Sequence, residues 1–236
     1  MIELLDYHGS DNAIANAARV SFADFGDWND IPDGYSKEQR DRLITYLANH
    51  RHTTPFRHTS VSIRCKAPIF IARQLGKHQA GLSWNEVSRR YVKGDIEFHE
   101  PEAWRAAPEG SIKQGSAGIH DDTVWLQQEY QQILDNTYAL YSTMLALGVA
   151  PEQARMVLPQ SMMTEWVWTG NILAFAHVFN ERIASGAQLE ARKFAQALDE
   201  VISPLFPEAW AALTAHARPE KTFAQIHVQY NNKYEG

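Results

Sequence analysis

Residues 61–67, Val-Ser-Ile-Arg-Cys-Lys-Ala, alternate without a break between apolar and polar side chains. A period of two fits the pleat of a β-strand and nothing helical. Val61, Ile63, Cys65 and Ala67 therefore share one face, and Ser62, Arg64 and Lys66 the other. One apolar strand face needs strand neighbours and a covering layer. Pro68 follows at once, and proline suits the first turn of a helix, which the apolar PIFIARQL run continues.

Around this strand the chain reads mostly as helix. Residues 1–22 give a short strand and then a helix, and 23–34 an acidic, turn-rich loop in which Asp24-Phe25-Gly26 is a turn. SKEQRDRLITYLANH is an amphipathic helix with Ser36 as its N-cap. RRYV and DIEFHE are strand candidates around a Lys93-Gly94-Asp95 turn, and 100–119 is a loop. Helical patterns then fill the chain from 121, including one continuous apolar helix over TEWVWTGNILAFAHVFNERI. Helices with several strands in the first half make the class α+β.

Composition sets limits on function. A net charge of −6 argues against a protein that coats nucleic acid. The single cysteine excludes an internal disulfide and a multi-cysteine zinc site. No basic segment precedes an apolar one near residue 1, and no apolar run approaches about 18 residues. A cytoplasmic protein with no membrane span and no metal is expected.

The chemistry concentrates in GKHQAGLSWNEVSRRY, residues 76–91. On a helix starting near Pro68, Arg73 and Lys77 share a face, as do Gln74 and His78. Gly81 permits a sharp turn or a close approach to a ligand. Ser83 and Glu86 have the spacing of a capping box, or Glu86 accepts from a ligand. Ser88, Arg89 and Arg90 suit phosphate. These residue types fit an anion-binding loop or a solvated turn. Asn171, His177, Asn180 and Arg182 interrupt an otherwise apolar face, which calls for polar partners. Cys65 lies on the apolar face of its strand and reads as inert. His50, His52 and His58 suit polar contacts better than zinc.

Taken in order, AARVSF (17–22), HTTPFRH (52–58), KAPIFIARQ (66–74), NEVSRRY (85–91), ARMVLP (154–159), WTGN (168–171) and NERIASGAQLE (180–190) resemble the flavin-dependent thymidylate synthase family. The second of these segments matches the family's H-x-TPFEH. Its signature has Arg-His-Arg and seven residues before serine. Here Lys77-His78-Gln79 and eight residues precede Ser88. The family's Asn-x-Arg becomes Asn171-Ile172-Leu173, and Gly186 stands at a usual histidine.

The resemblance implies one domain over 1–236, helix-rich, with a small and mostly antiparallel sheet in the first half. It implies reductive methylation of dUMP to dTMP, with 5,10-methylenetetrahydrofolate as carbon donor, FAD as hydride carrier and NADPH as reductant. By the matching, Arg182 is catalytic. Gln74, Lys77, Glu86, Ser88, Arg90, Arg155 and Arg182 contact dUMP, with Arg155 contributed by a neighbouring subunit of a homotetramer. Thr54, Lys77, His78, Gln79, Glu86, Asn171 and His177 face FAD. The alternatives are a flavin-dependent methylase or hydroxymethylase of UMP or another pyrimidine nucleotide, and a catalytically silent flavin- or nucleotide-binding module. A flavin-free synthase with a cysteine nucleophile fails on Cys65, which lacks a Pro-Cys-His setting.

Overall fold

The strand over Ser60–Pro68 (β2) forms as its alternation requires. Val61, Ile63, Cys65 and Ala67 are buried, and Arg64 faces outward. The computed structural model describes residues 2–23, 26–92, 94–108 and 115–217. Among them β2 pairs antiparallel with β1 (Ile2–His8) on one side and with β4 (Met163–Gly170) on the other. The short β3 (Leu82–Glu86) closes the far edge against β4, so the order is β1-β2-β4-β3.

Helices cover the apolar face of this sheet. In chain order they are α1 (Asp11–Arg19), α2 (Lys37–Asn49), α3 (Ile69–Leu75), α4 (Thr123–Ala146), α5 (Pro151–Ala154), α6 (Ile172–Ile183), α7 (Leu189–Ile202) and α8 (Pro207–Thr214). One continuous core joins Ile63 and Trp168 of the sheet to Ile71, Phe175, Phe194 and Trp210 of the helices. Each such side chain contributes about 1.5–3 kcal/mol on burial. Ser36 caps α2 as expected, and Gln39 completes a reciprocal capping box. Asp11 accepts from the backbone N–H groups of Glu208 and Ala209, both at 3.0 Å, and so ties α1 to the start of α8.

Several expected elements differ. The run expected as one helix over 164–183 splits at Gly170-Asn171 into strand β4 and helix α6. The central part of the sheet thus draws a strand from the second half of the chain. Thr164, Trp166, Trp168 and Gly170 alternate inward, and Asn171 caps α6 through its Oδ1 on the N–H of Ala174 (2.9 Å). Ser83 and Glu86 belong to β3, so they form no capping box. RRYV is a turn, and DIEFHE contributes only a bridge from Phe98 to Met162. Asp24, Phe25 and Lys93 lie outside the described residues. Among the described residues no helix is long and apolar enough to cross a membrane.

Candidate functional site

β2 delivers α3 to the edge of the core, and α3 stops after seven residues at Gly76. The helical face that was to hold Lys77 and His78 therefore ends before them. Turn hydrogen bonds from Lys77 to Gln74 and from His78 to Leu75 keep both side chains at the helix end instead. Gly81, at φ +76°, then carries the chain past the start of α6 into β3. A Cβ on Gly81 would lie 2.9 Å from Nδ2 of Asn171, so only glycine permits this approach.

Arg182 meets this segment from the last turn of α6. It donates from Nε and Nη2 to Nε2 of His78 at 3.1 and 2.9 Å. Accepting at Nε2 requires a neutral imidazole with its proton on Nδ1. Partial burial, and then the charges of Arg182 and His177, hold His78 below the ordinary imidazole range and favour that form. The His177 ring lies edge-on to His78, with centroids 5.5 Å apart.

Four adjoining cavities surround these residues. One of about 620 Å³ holds Gln74, Lys77, Gln160, Arg182, Gly186 and Gln188. A second, about 470 Å³, holds Lys77, His78, Gln79, Trp84 and Glu86. Arg73 and Lys77 line both. The largest, about 830 Å³, lies beyond the His78–His177 contact and includes Asn171, His177 and Asn180. Arg51 links it to a fourth, about 520 Å³, that contains Thr54.

The structure thus gathers Gln74, Lys77, His78, Gln79, Glu86 and Arg182 around two cavities that share Arg73 and Lys77, and Asn171, His177 and Thr54 around two that share Arg51, with the His78–His177 contact between the pairs. Gln74 donates to Oε1 of Gln188 (2.6 Å), and Glu86 accepts from Thr164 (2.7 Å). Ser88, Arg90 and Arg155 line none of these cavities. The Ser88 hydroxyl accepts from Nε of Arg90 (3.1 Å), which draws electron density away from it and does not activate a nucleophile. Arg155 is exposed on the turn after α5 and donates to the carbonyl of Glu152.

Sequence reasoning assigned no role to Arg51, Arg57 or Gln188, and left Arg73 at a shared helix face. Arg73 was legible from its spacing to Lys77. Arg57 had only its place at the glutamate of H-x-TPFEH, and Arg51 had no signal beyond its charge.

The rejected nucleophile behaves as its strand face requires. Cys65 is fully buried, and burial drives its thiol far above the usual range. Cys65→Ser is expected to leave activity per folded molecule unchanged. It is expected to cost about 1–3 kcal/mol of stability through an unpaired buried hydroxyl. Loss of turnover in a variant that folds and melts like the parent would restore the thiol as a candidate.

The family profile described as Thy1, thymidylate synthase complementing protein, matches residues 3–208. The chain is 38% identical over 218 residues to a flavin-dependent thymidylate synthase of Thermus thermophilus, covering 91% of this chain and 76% of that protein. It is 35% identical over 214 residues to one from Kosmotoga olearia, covering 89% of this chain and 88% of the relative. Among solved structures, a UMP/dUMP methylase, PolB from Streptomyces cacaoi, bound with 5-Br dUMP, superimposes with a TM-score of 0.81 at 31% identity. That match covers 94% of this chain and 97% of the other. The same methylase bound with 5-Br UMP gives 0.77 at 29% identity, covering 92% and 94%.

Proposed function

The chain belongs to the thymidylate synthase complementing protein family, the flavin-dependent thymidylate synthases, and from that premise we propose that it converts dUMP to dTMP. The observation that carries this reading is Arg182, a permanent cation aimed from α6 into a cavity that also holds Lys77 and Gln74. The carbon comes from 5,10-methylenetetrahydrofolate and the reducing equivalents from NADPH.

Uracil C5 becomes nucleophilic when negative charge develops on N3 and the C2 and C4 oxygens. A guanidinium stabilises that charge at every working pH. Arg182 takes this role, oriented by His78, which cannot compete for it as a cation. Arg73 and Lys77 bring positive charge to the phosphate, and Gln74 with Gln188 offers amide groups to the base. Glu86 adds a contact from β3, and Ser88 and Arg90, which like Arg155 lie outside these cavities, are available with it to a site shared between subunits. C5 bonds to the methylene carbon and loses its proton, tetrahydrofolate leaves as that carbon's bonds to nitrogen break, and a hydride then completes the methyl group. FAD supplies that hydride when bound.

The largest cavity suits a flavin dinucleotide. Among its lining residues there is no carboxylate, and Oδ1 of Asn180 is buried there with no partner among the described residues. An orphaned buried acceptor of this kind calls for a donor from a ligand. Asn171 and His177 would hold FAD from this cavity, His78, Gln79, Lys77 and Glu86 from the adjoining one, and Thr54 from the far end.

We also propose a homotetramer with shared active sites. α4 runs for 24 residues with only Leu134 and Tyr141 buried, and it leaves Trp125, Ile133 and Leu140 at the surface. Arg155, next in the chain and outside its own cavities, is then available to a neighbouring site.

The UMP/dUMP methylase among the structural neighbours keeps a second substrate in view. Purified protein supplied with methylenetetrahydrofolate and NADPH is expected to form dTMP from dUMP, and its yellow colour to bleach on adding NADPH. Methylation of UMP with no turnover of dUMP would replace this reading with the second. A flavin band that never responds to NADPH and dUMP would indicate a silent binding module.

A further inference from the structure

The largest cavity holds two guanidinium groups that no part of the reading above uses. Arg51 and Arg57 both line it, on the segment between α2 and β2. Neither pairs with a carboxylate among the described residues, and no carboxylate among them lines the cavity. Two cations from one segment, lining the same open cavity with no carboxylate partner among the described residues, suit a ligand of at least two negative charges. Guanidinium forks match phosphate oxygens in geometry as well as charge.

Arg51 carries a second mark. Its φ is +56°, a left-handed conformation that a non-glycine residue adopts only under constraint from its surroundings. The adjoining turn imposes it: Arg51 N–H donates to Ala48, and the His52 N–H to Leu47. The strain places the Arg51 side chain where the largest cavity meets the one containing Thr54.

The α6 residues that line the same cavity explain the need. Position 173 on α6 is leucine, where the family pattern has arginine, and Leu173 lines this cavity. Position 57 is arginine, where that pattern has glutamate. One positive charge is missing from the α6 side and one has appeared across the same space.

We infer that Arg51 and Arg57 form the diphosphate clamp of this protein's flavin site, taking over from the α6 side of the cavity. The inference rests on the reading of that cavity as the flavin site. It makes the α2–β2 segment, rather than α6, the element that distinguishes a dinucleotide from a flavin without phosphate.

The test is titration of the full chain, freed of flavin, with FAD and with riboflavin, followed by flavin fluorescence. Arg57→Ala is expected to weaken FAD binding about tenfold, the loss of one charge-assisted phosphate contact, and to leave riboflavin binding within about twofold. Arg57→Lys is expected to recover part of the loss. Arg51→Gly removes the guanidinium and the backbone strain together. It is expected to bind FAD more weakly while melting no lower than the parent, which separates ligand binding from folding. FAD binding at parental strength in both Arg57→Ala and Arg51→Gly overturns the clamp. An equal loss for FAD and riboflavin overturns it too, since a phosphate contact cannot act on riboflavin. A parent chain that takes up no FAD at all overturns the reading of the cavity itself.

Discussion

Arg182→Ala is expected to lower kcat for dUMP methylation by about 10²–10³, the effect of removing one preorganised charge from the developing anion. The loss is expected mainly in kcat, because in the proposed reading the nucleotide phosphate is met by other cations, Lys77 and Arg73 among them. Arg182→Lys keeps the charge and loses the fork that reaches His78 from both Nε and Nη2, so its activity is expected between the two. A second readout follows from His78. Burial first, then Arg182 and His177, hold its imidazole below the ordinary value of 6.5. As pH falls below that value the unfolded chain takes the proton before the folded one does. The stability present above pH 6.5 is therefore lost as pH falls towards the folded value. Arg182→Ala removes one depressing charge, so His78 should titrate closer to its ordinary value, and this part of the acid sensitivity should shrink. NMR titration of the His78 ring in both proteins checks it. Undiminished kcat in the alanine variant would remove Arg182 from the chemistry.

What was legible in the chain follows from how each element is buried. β2 was legible because one face is apolar and the other carries Arg64 and Lys66, so the period appears directly in the residue types. β4 was not, because Val167 and Met163 on its outer face are apolar as well as Trp166 and Trp168 on its inner one. Its period is thereby blurred, and only Gly170-Asn171 separates it from the equally apolar α6. β3 was misread because Ser83-x-x-Glu86 satisfies two templates, a capping box and an alternating strand. The partner strand that decides between them lies about eighty residues away in β4. Pairing of that range is invisible to local reasoning.

The site divides in the same way. Gln74, Lys77, His78, Glu86 and Arg182 were found because contiguous motifs carry them. Their convergence was not legible from residue types alone, since His78 and Arg182 lie 104 residues apart. Arg51 escaped notice because its mark is a backbone angle, and Arg57 because one changed charge inside a matching segment does not show which cavity it lines. The departures at Lys77, Gln79 and Leu173 were visible as substitutions. The counterpart proposed for Leu173, Arg51 with Arg57, became visible only once the residues lining one cavity could be compared.

The other large effect is on the core that holds the site together. Trp168 is fully buried at the centre of the sheet, opposite Ile63 on β2 and Trp84 on β3. Trp84 stacks on Trp166 (4.2 Å between centroids) and stands edge-on to Trp168 at 5.3 Å. β3 is an edge strand of five residues, so these ring contacts do much to fix it, and it ends at Glu86. Trp168→Ala is expected to cost about 3–5 kcal/mol, read as a lower denaturant midpoint at unchanged slope. Nucleotide affinity should fall with it, because β3 loses the ring that positions Trp84. Trp168→Phe makes the informative contrast. Nε1 of Trp168 is buried with no partner among the described residues, so phenylalanine keeps most of the apolar contact and removes an orphaned donor worth about 1–3 kcal/mol. That gain offsets part of the lost volume, and a net cost under about 2 kcal/mol is expected. If the two variants are equally destabilised, the indole N–H has a partner in the assembled protein. If Trp168→Ala is as stable as the parent, the ring cluster is not what holds β3 to the sheet.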